Sequence, residues 1–349
     1  MGEWKRKKQD WKKRKSRKLA LEKREKKKGI RAHSERQEGR KRRHVEFYSA
    51  LAPREFSVIH NPEGTYEYFL KIIEEIKQRK FKEIFYFDLE NVEEISVDAI
   101  MYILALMRNI KNKEALKYTF KGNQPVSDKA NRLLMESGFF KYVSSNNPHI
   151  QTQGDNLQIV TGRRVDNDVA GDVCDFINKQ CKTPVSFTDT LYEVIIELMT
   201  NTVQHAYNEE KLLTVSQWYI YAGSVEDDIE LVFLDTGKGI PQTVNKKAIE
   251  KFGEIFATGK SDADYVVSAL KGEWRSQTGE NYRGRGLPCV IEYAQNAEVH
   301  SMTVVSGKAM VFVNADSIEQ RELEEKLFGT LYYWKIRKAK KEEVVNVEN

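Results

Sequence analysis

The sequence has few cysteines and no long apolar segment. Its 349 residues include three cysteines, an odd number without metal-site spacing, so we expect neither a disulfide framework nor a zinc site. No run of about 18 apolar residues occurs, so the sequence predicts no membrane span. The N-terminus is basic and lacks the apolar core of a secretory signal. These absences together predict a cytoplasmic protein.

Charge is distributed unevenly along the chain. The formal net charge is +5, yet residues 1–44 hold 21 basic and 6 acidic side chains, so the rest of the chain carries −10. Residues 1–45 have no amphipathic pattern and cannot bury a core, which predicts a disordered or helical tail. This basic tail is either simply solvated or binds nucleic-acid phosphates. It has no apolar face for a membrane.

Strand and helix patterns alternate in two regions. In residues 46–150, EIFYFDL and LKYTFKG read as strands and TYEYFLKIIEEIKQR and VDAIMYILALMRNI as helices. In residues 165–336, LLTVSQWYIYA and IELVFLDTG read as a strand hairpin, GLPCVIEYAQ as a helix, and EVHSMTVVSG and KAMVFVNA as a strand pair. Residues 337–349 form a charged C-terminal tail. The alternation predicts two α/β domains between the tails.

A narrow polar stripe marks one predicted helix, VIIELMTNTVQHAY, at residues 194–207. Glu197, Asn201 and His205 recur every fourth residue, which places them on one face of the helix. Most other positions are apolar and would pack on a sheet. Because burying ionic groups without partners is costly, the stripe indicates either a ligand site or a structural polar network.

Two glycine-containing turns follow along the chain. In LVFLDTGKGI an apolar strand ends at Asp235, and Gly237 and Gly239 then permit a tight turn with an exposed backbone. In YRGRGL, Gly284 and Gly286 precede a predicted helix, an arrangement in which free backbone N–H groups can bind an anion. Each motif alone is common in proteins.

Together and in this order, the three motifs resemble the GHKL (histidine kinase-like) ATPase superfamily. ExxxN on the helix resembles its N box, DxGxGI its first glycine box and GxGL its second. ELMTNTVQHAY is most similar to the bacterial anti-sigma-factor serine kinases, and the terminal FGTLYYWKI resembles the closing strand of such domains. The resemblance implies a GHKL-type α/β sandwich over residues 165–336, with a mixed sheet and helices on one face.

The resemblance also implies roles for individual residues toward ATP and Mg²⁺. Asn201 would coordinate Mg²⁺, Glu197 would act as general base or orient the attacking nucleophile, and Asp235 would accept the adenine amino group. The segment of residues 245–283 would be a mobile lid. The other implied ATP-binding positions are His205, Gly237, Gly239, Ile240, Gly284, Arg285, Gly286 and Leu287. His205 would either contact phosphate or serve packing.

Around LENVEEISVDAIMYILALMRNI, residues 46–150 resemble a STAS domain, as found in anti-sigma-factor antagonists. Regulated members of that family carry a phosphorylated serine or threonine in the turn before the helix. Val97 or Asp98 stands at that place here, with Ser96 just before. The resemblance therefore implies a STAS-like α/β domain without predicting its phosphorylation.

Two functions remain open at this point. The first is a bacterial signalling ATPase or serine/threonine protein kinase of the anti-sigma-factor type, with a protein partner as regulator or phosphate acceptor. The second is an ATP-gated switch or binding module that engages nucleic acid through residues 1–44. The sequence leaves the oligomeric state open, and a dimer is compatible with both.

Overall fold

In the computed structural model, strands and helices alternate in an α/β fold, as the sequence predicts. The structure describes residues 47–78, 84–111, 119–143, 156–204, 216–244, 259–273 and 286–339. Residues 47–349 form one compact unit. The predicted basic tail, most of the charged C-terminal tail and the helix expected at residues 247–258 lie outside the described residues.

The first half of the described chain is built on a small parallel sheet. Its three strands lie in the order β1–β3–β5, and two very short strands, β2 and β4, pair beside it. The elements are β1 (Phe47–Leu51), β2 (Glu55–Phe56), α1 (Pro62–Gln78), β3 (Ile84–Asp88), β4 (Glu94–Ile95), α2 (Val97–Lys111), β5 (Thr119–Gly122), α3 (Asp128–Glu136) and α4 (Phe140–Val143).

The second half is built on a five-stranded sheet with the order β6–β7–β8–β10–β9. A tight turn joins β7 to β8, with Glu226 in the left-handed region at φ 51°. The elements are β6 (Leu157–Gly162), α5 (Asn167–Cys181), α6 (Val185–Gln204), β7 (Trp218–Val225), β8 (Asp228–Asp235), α7 (Asp262–Leu270), α8 (Pro288–Ala294), β9 (Val299–Val313) and β10 (Ile318–Arg337).

This larger sheet differs from the expectation in two respects. Every described pair of neighbouring strands in it is antiparallel, so the sheet is not mixed. Helices also cover both of its faces, not one. Helices α5, α6, α7 and α8 pack on one face, and α1 and α2 of the first half pack on the other. The family pattern did not predict the second covering because it concerns only residues 165–336.

Alternate residues of the central strands belong to two different hydrophobic cores. In β10, Tyr332 and Trp334 join the core beneath α5 and α6, whereas Leu331 and Tyr333 join the core beneath α1 and α2. Successive side chains of a strand point to opposite faces, so a strand buried on both sides must be apolar throughout. This explains the continuous apolar run LVFL in β8, whose residues also alternate between the two cores.

The C-terminal strands are longer than expected. EVHSMTVVSG and KAMVFVNA form the single strand β9, whose hairpin partner is β10, and the turn lies at residues 314–317. Gly307, at φ 64°, lies opposite an irregularity of β10, which advances from Glu322 to Leu327 while β9 runs only from Ala309 to Gly307. The glycine therefore lies at a bulge in the strand pair, although its sequence signal resembles that of a turn.

The hairpin also holds the middle of the segment expected to be a mobile lid. Within residues 245–283, helix α7 begins with a capping box between Ser261 and Asp264. The Ala263 backbone N–H donates to Glu322 at 2.7 Å and the Lys308 N–H donates to Asp262 at 2.8 Å. Helix α7 is thus packed on the hairpin, whereas residues 245–258 and 274–283 of the expected lid lie outside the described residues.

Two buried carboxyl groups lie between the first half and the larger sheet. Asp98, in the first turn of α2, accepts hydrogen bonds from the Ile59 N–H at 2.9 Å and from Ser57 at 3.3 Å. Glu230 of β8 accepts one from Tyr333 at 3.2 Å. Burial raises the pKa of Glu230 to about 7, and the charge of Asp98 raises it further. Burial also raises the pKa of Asp98.

We expect Glu230→Gln to stabilise the protein at pH 8 and to flatten its stability profile between pH 5 and 8. A carboxyl whose pKa rises on folding favours the folded state below its unfolded pKa, and this contribution is lost as pH rises through the folded value. The shift from 4.5 to about 7 corresponds to the order of 3 kcal/mol. Glutamine still accepts the bond from Tyr333. Urea unfolding measured at several pH values tests this.

The matched control is Glu325→Gln, which removes an exposed carboxyl from the neighbouring strand, β10. This variant should keep the wild-type dependence of unfolding free energy on pH. Equal profiles for Glu230→Gln and wild type would contradict the assignment of a buried, proton-linked carboxyl at Glu230.

Candidate nucleotide site

The polar stripe of α6 is half-buried at its two described members, Glu197 and Asn201. The Asn201 Nδ2 donates to Glu197 Oε1 at 3.2 Å. Leu198 and Met199, on the other side of the helix, are buried in the core. Glu193, one turn earlier, is exposed. The stripe therefore consists of one polar pair near the C-terminal end of an otherwise apolar helix.

Asp235 ends β8 and begins the first glycine turn. Its Oδ1 accepts the Gly237 N–H at 2.7 Å. Burial raises the pKa of Asp235 to about 6, while hydrogen bonds from Gly237 and Thr330 lower it. Above that pH the carboxylate is ionised and can accept a further hydrogen bond. Gly239, at φ 83°, occupies a conformation that side chains rarely adopt.

Residues of β9 and β10 support this turn from the side. The Gly329 N–H donates to the Gly237 carbonyl at 3.1 Å. The Ile240 N–H donates to Ser306 Oγ at 2.9 Å, and Ser306 lies 3.1 Å from the Thr330 hydroxyl. Sequence reasoning identified FGT as the start of a closing strand but missed the contacts of Thr330 and Ser306. Only the pairing of β10 with both β8 and β9 brings these hydroxyls together.

The second glycine motif lies just before α8. Gly286 has φ 71°, and its carbonyl accepts the Cys289 N–H at 3.1 Å. Leu287 caps the helix without a side-chain bond, and Pro288 begins it. The backbone thus turns into the helix at the place that the sequence pattern indicated.

The stripe and the Asp235 turn lie at one end of the larger sheet, and α8 lies on the same face of that sheet. Ser216 Oγ donates to the Thr202 carbonyl of α6 at 2.8 Å. Ser216 lies two residues before Trp218, and Trp218 of β7 pairs with Asp235 of β8. Helix α8 packs on α6, with the Phe187 and Tyr293 ring centroids 4.8 Å apart. The stripe, the Asp235 turn and the start of α8 therefore share one face of the sheet.

Tyr332 lies in the middle of this group. It is fully buried on the α6 face of the sheet, where it pairs with Phe233 of β8. Burial raises the pKa of its phenol, and interactions with Asp235, Cys289 and Glu197 raise it further. The Tyr332 phenol therefore interacts electrostatically with Glu197 of the stripe and with Asp235 of the first glycine turn. It also interacts with Cys289, which follows the second glycine motif.

The described part of the chain includes eight of the residues that the sequence nominates, on α6, in the Asp235 turn and just before α8. They are Glu197, Asn201, Asp235, Gly237, Gly239, Ile240, Gly286 and Leu287. The other three, His205, Gly284 and Arg285, lie outside the described residues.

The donor set of this site is sparse for a metal. Among the described residues, no group of three or more His, Cys, Asp or Glu side chains could hold a metal ion. Asn201 uses its amide nitrogen toward Glu197, which leaves Oδ1 as a hard oxygen ligand. Magnesium accepts such an arrangement because it keeps several waters and takes other oxygens from a bound phosphate.

Comparison with known proteins adds no identification. No protein-family model matches the chain, and a search of curated proteins finds no match. Within the described part of the chain, no helix is long and apolar enough to cross a membrane.

We expect Gly329→Ala to destabilise the protein by at least about 2 kcal/mol. Gly329 has φ 82°, and a Cβ there would lie 1.9 Å from the Asp235 carbonyl oxygen. The backbone on both sides would have to move, which would disturb the bond from Gly329 to Gly237. Chemical denaturation measures the loss.

Gly171→Ala is the control, because nothing lies within 4 Å of its added Cβ on helix α5. Alanine favours a helix over glycine, so this variant should be equal to or more stable than wild type by up to about 1 kcal/mol. Wild-type stability of Gly329→Ala would show that the Asp235 turn does not need this close approach.

Proposed function

We propose that the protein is a magnesium-dependent ATP-binding signalling ATPase of the GHKL type, acting in the cytoplasm. The observation that supports this most is that the stripe of α6 and the Asp235 turn lie at one end of a sheet, with α8 on the same face of it. Those are the elements that the family resemblance requires to meet around a nucleotide. The three cysteines are all buried and form no disulfide, which suits a reducing compartment.

The proposed adenine end of the site is Asp235. Its carboxylate is half-buried, ionised above about pH 6 and already oriented by the Gly237 N–H and Thr330. A carboxylate with acceptor capacity left over favours a ligand that offers an amino group, since a ligand without a donor would bury that capacity unsatisfied. Gly237 and Gly239 leave the backbone open beside the base.

The proposed phosphate end of the site is the stripe of α6 together with the turn at Gly286. Asn201 Oδ1 would hold Mg²⁺, which when bound neutralises charge on the phosphate oxygens. Glu197, held by the Asn201 amide, would accept a proton from the attacking hydroxyl or water. Backbone N–H groups of the glycine turn, at Gly284 and Gly286, would contact the phosphates.

Within this class, we favour a serine/threonine protein kinase of the anti-sigma-factor type over a simple hydrolase. The resemblance of ELMTNTVQHAY to the anti-sigma-factor serine kinases supports that preference. The STAS-like first half is suited to be a regulatory module that binds a protein partner. Incubation with γ-labelled ATP separates the two. A kinase transfers the label to serine or threonine of a protein, whereas release of all label as inorganic phosphate would contradict the kinase assignment.

We expect Glu197→Gln to bind Mg·ATP with near wild-type affinity and to lose turnover by about 100-fold or more, because it removes the proton acceptor. Asn201→Ala should lose the part of ATP affinity that depends on magnesium. Isothermal titration calorimetry with and without Mg²⁺, together with an assay of released phosphate, measures both effects.

Glu193→Gln is the matched control on the same helix. Its carboxyl is exposed one turn away, so binding and turnover should both remain at wild-type values. An absence of any heat for ATP or ADP with wild-type protein and saturating magnesium would overturn the proposed function.

The charge of the N-terminal tail supports a second candidate function. With 21 basic and 6 acidic side chains in residues 1–44, the tail has the composition of a sequence-independent nucleic-acid binder. ATP would then act as a switch on a binding module, and hydrolysis would reset it.

Deletion of residues 1–44 distinguishes this candidate from the first. We expect the deletion to abolish binding of single- or double-stranded nucleic acid at low salt and to leave ATP turnover unchanged. For the full chain, the logarithm of the affinity should fall linearly with the logarithm of salt concentration, because binding releases counterions. Fluorescence anisotropy measures both, and retained nucleic-acid binding after deletion would contradict a role for the tail.

A further inference from the structure

Helix α2 is the most completely buried element of the first half of the chain. All of its residues from Val97 to Met107 are buried. It lies on the face of the larger sheet opposite to α6, so it is separated from the proposed nucleotide site by one layer of strands. Any coupling between this helix and the site must therefore pass through the backbone of the sheet.

Tyr102 of α2 makes such a contact. Its hydroxyl donates to the carbonyl oxygen of Phe328 at 3.3 Å. The two rings also pack edge to face, with centroids 5.4 Å apart and planes at 70°. Tyr102 is 1% exposed, so both contacts are fully enclosed. One side chain of the first half thus holds both the backbone and the ring of a single residue on β10.

Phe328 begins the short stretch that supports the Asp235 turn. The next residue, Gly329, donates to the Gly237 carbonyl, and its Cα packs directly on the Asp235 backbone. The residue after that, Thr330, bonds to the Asp235 carboxylate. A movement of Phe328 must change these contacts, because each next residue is already in contact with Asp235 or Gly237.

We propose that Tyr102 is a positioning residue that couples helix α2 to the Asp235 end of the nucleotide site. This inference rests on the proposed function. The hydroxyl and ring of Tyr102 fix Phe328, and Phe328 fixes the adenine-binding turn. By thermodynamic linkage, a protein partner that shifts α2 changes ATP affinity, and ATP changes the affinity for that partner by the same factor.

The test is Tyr102→Phe, which removes the hydroxyl and keeps the ring. We expect the affinity for Mg·ATP, measured by calorimetry, to fall about fivefold, because the turn that holds Asp235 loses part of its support. The melting temperature without nucleotide should also fall, because the hydrogen bond to Phe328 is present in the free protein. A purely structural tyrosine would show the lower melting temperature with unchanged ATP affinity, and that result would overturn the proposal.

Tyr142→Phe is the matched control. The Tyr142 hydroxyl also joins the first half to the same sheet, donating to the Ile159 carbonyl at 2.8 Å, but on strand β6 and away from Phe328. It should keep wild-type ATP affinity. An equal loss in both variants would overturn the specific role of Tyr102. Failure of the wild type to bind ATP would instead overturn the proposed function together with this inference.

Discussion

Strand β10 pairs with β8 on one side and β9 on the other while its two faces enter two separate cores. Tyr332 and Trp334 pack under the helices that carry the polar stripe, and Leu331 and Tyr333 pack under the helices of the first half. Because side chains alternate strictly along a strand, a shift of register by one residue would exchange the two faces. The positions of Thr330 beside Asp235 and of Phe328 beside Tyr102 both depend on this single register.

The covering of the second face explains the polar groups that are buried there. Tyr102, Tyr333, Asp98 and Glu230 lie where two layers of apolar side chains would otherwise meet. Buried carboxyls whose pKa is raised by burial reduce stability at neutral pH, so hydrophobic packing alone does not explain why Asp98 and Glu230 are there. Their bonds to backbone N–H and hydroxyl groups fix how the layers align, which apolar contacts define less sharply.

The sequence predicts the site better than it predicts the architecture around it. Glu197 and Asn201 share a helix face by spacing alone, and Asp235 is identified by the polar end of an apolar strand. Thr330 and Ser306 have no comparable local signal, because Ser306 contacts Thr330 and Ile240 across sequence separations of 24 and 66 residues. Gly307 illustrates the opposite case, a local signal whose interpretation is wrong. The glycine suggests a turn between two strands, but a glycine is equally typical of a bulge.

The packing of the first half on the sheet could not be predicted from the family pattern. The apolar runs in β7 and β8 do indicate strands that are buried on both faces, but they do not say which element covers the second face. Helix α2 is buried on all sides up to Met107, which fits a position between two layers. The matching observation in the sequence is that VDAIMYILALM has no polar face apart from Asp98.

Under the proposed function, the half-buried Asp235 carboxylate also accounts for selectivity. Desolvation raises its pKa even with hydrogen bonds from Gly237 and Thr330, because these donors stabilise the negative charge less than water would. A base with an amino group would supply the missing donor, whereas a base with a carbonyl there would place two acceptors together. Sites of this kind reject the wrong partner through an unpaired polar group more strongly than they attract the right one. The support that holds Asp235 in place, from Gly329 back to Tyr102, therefore bears on which nucleotide is accepted as well as on how tightly it binds.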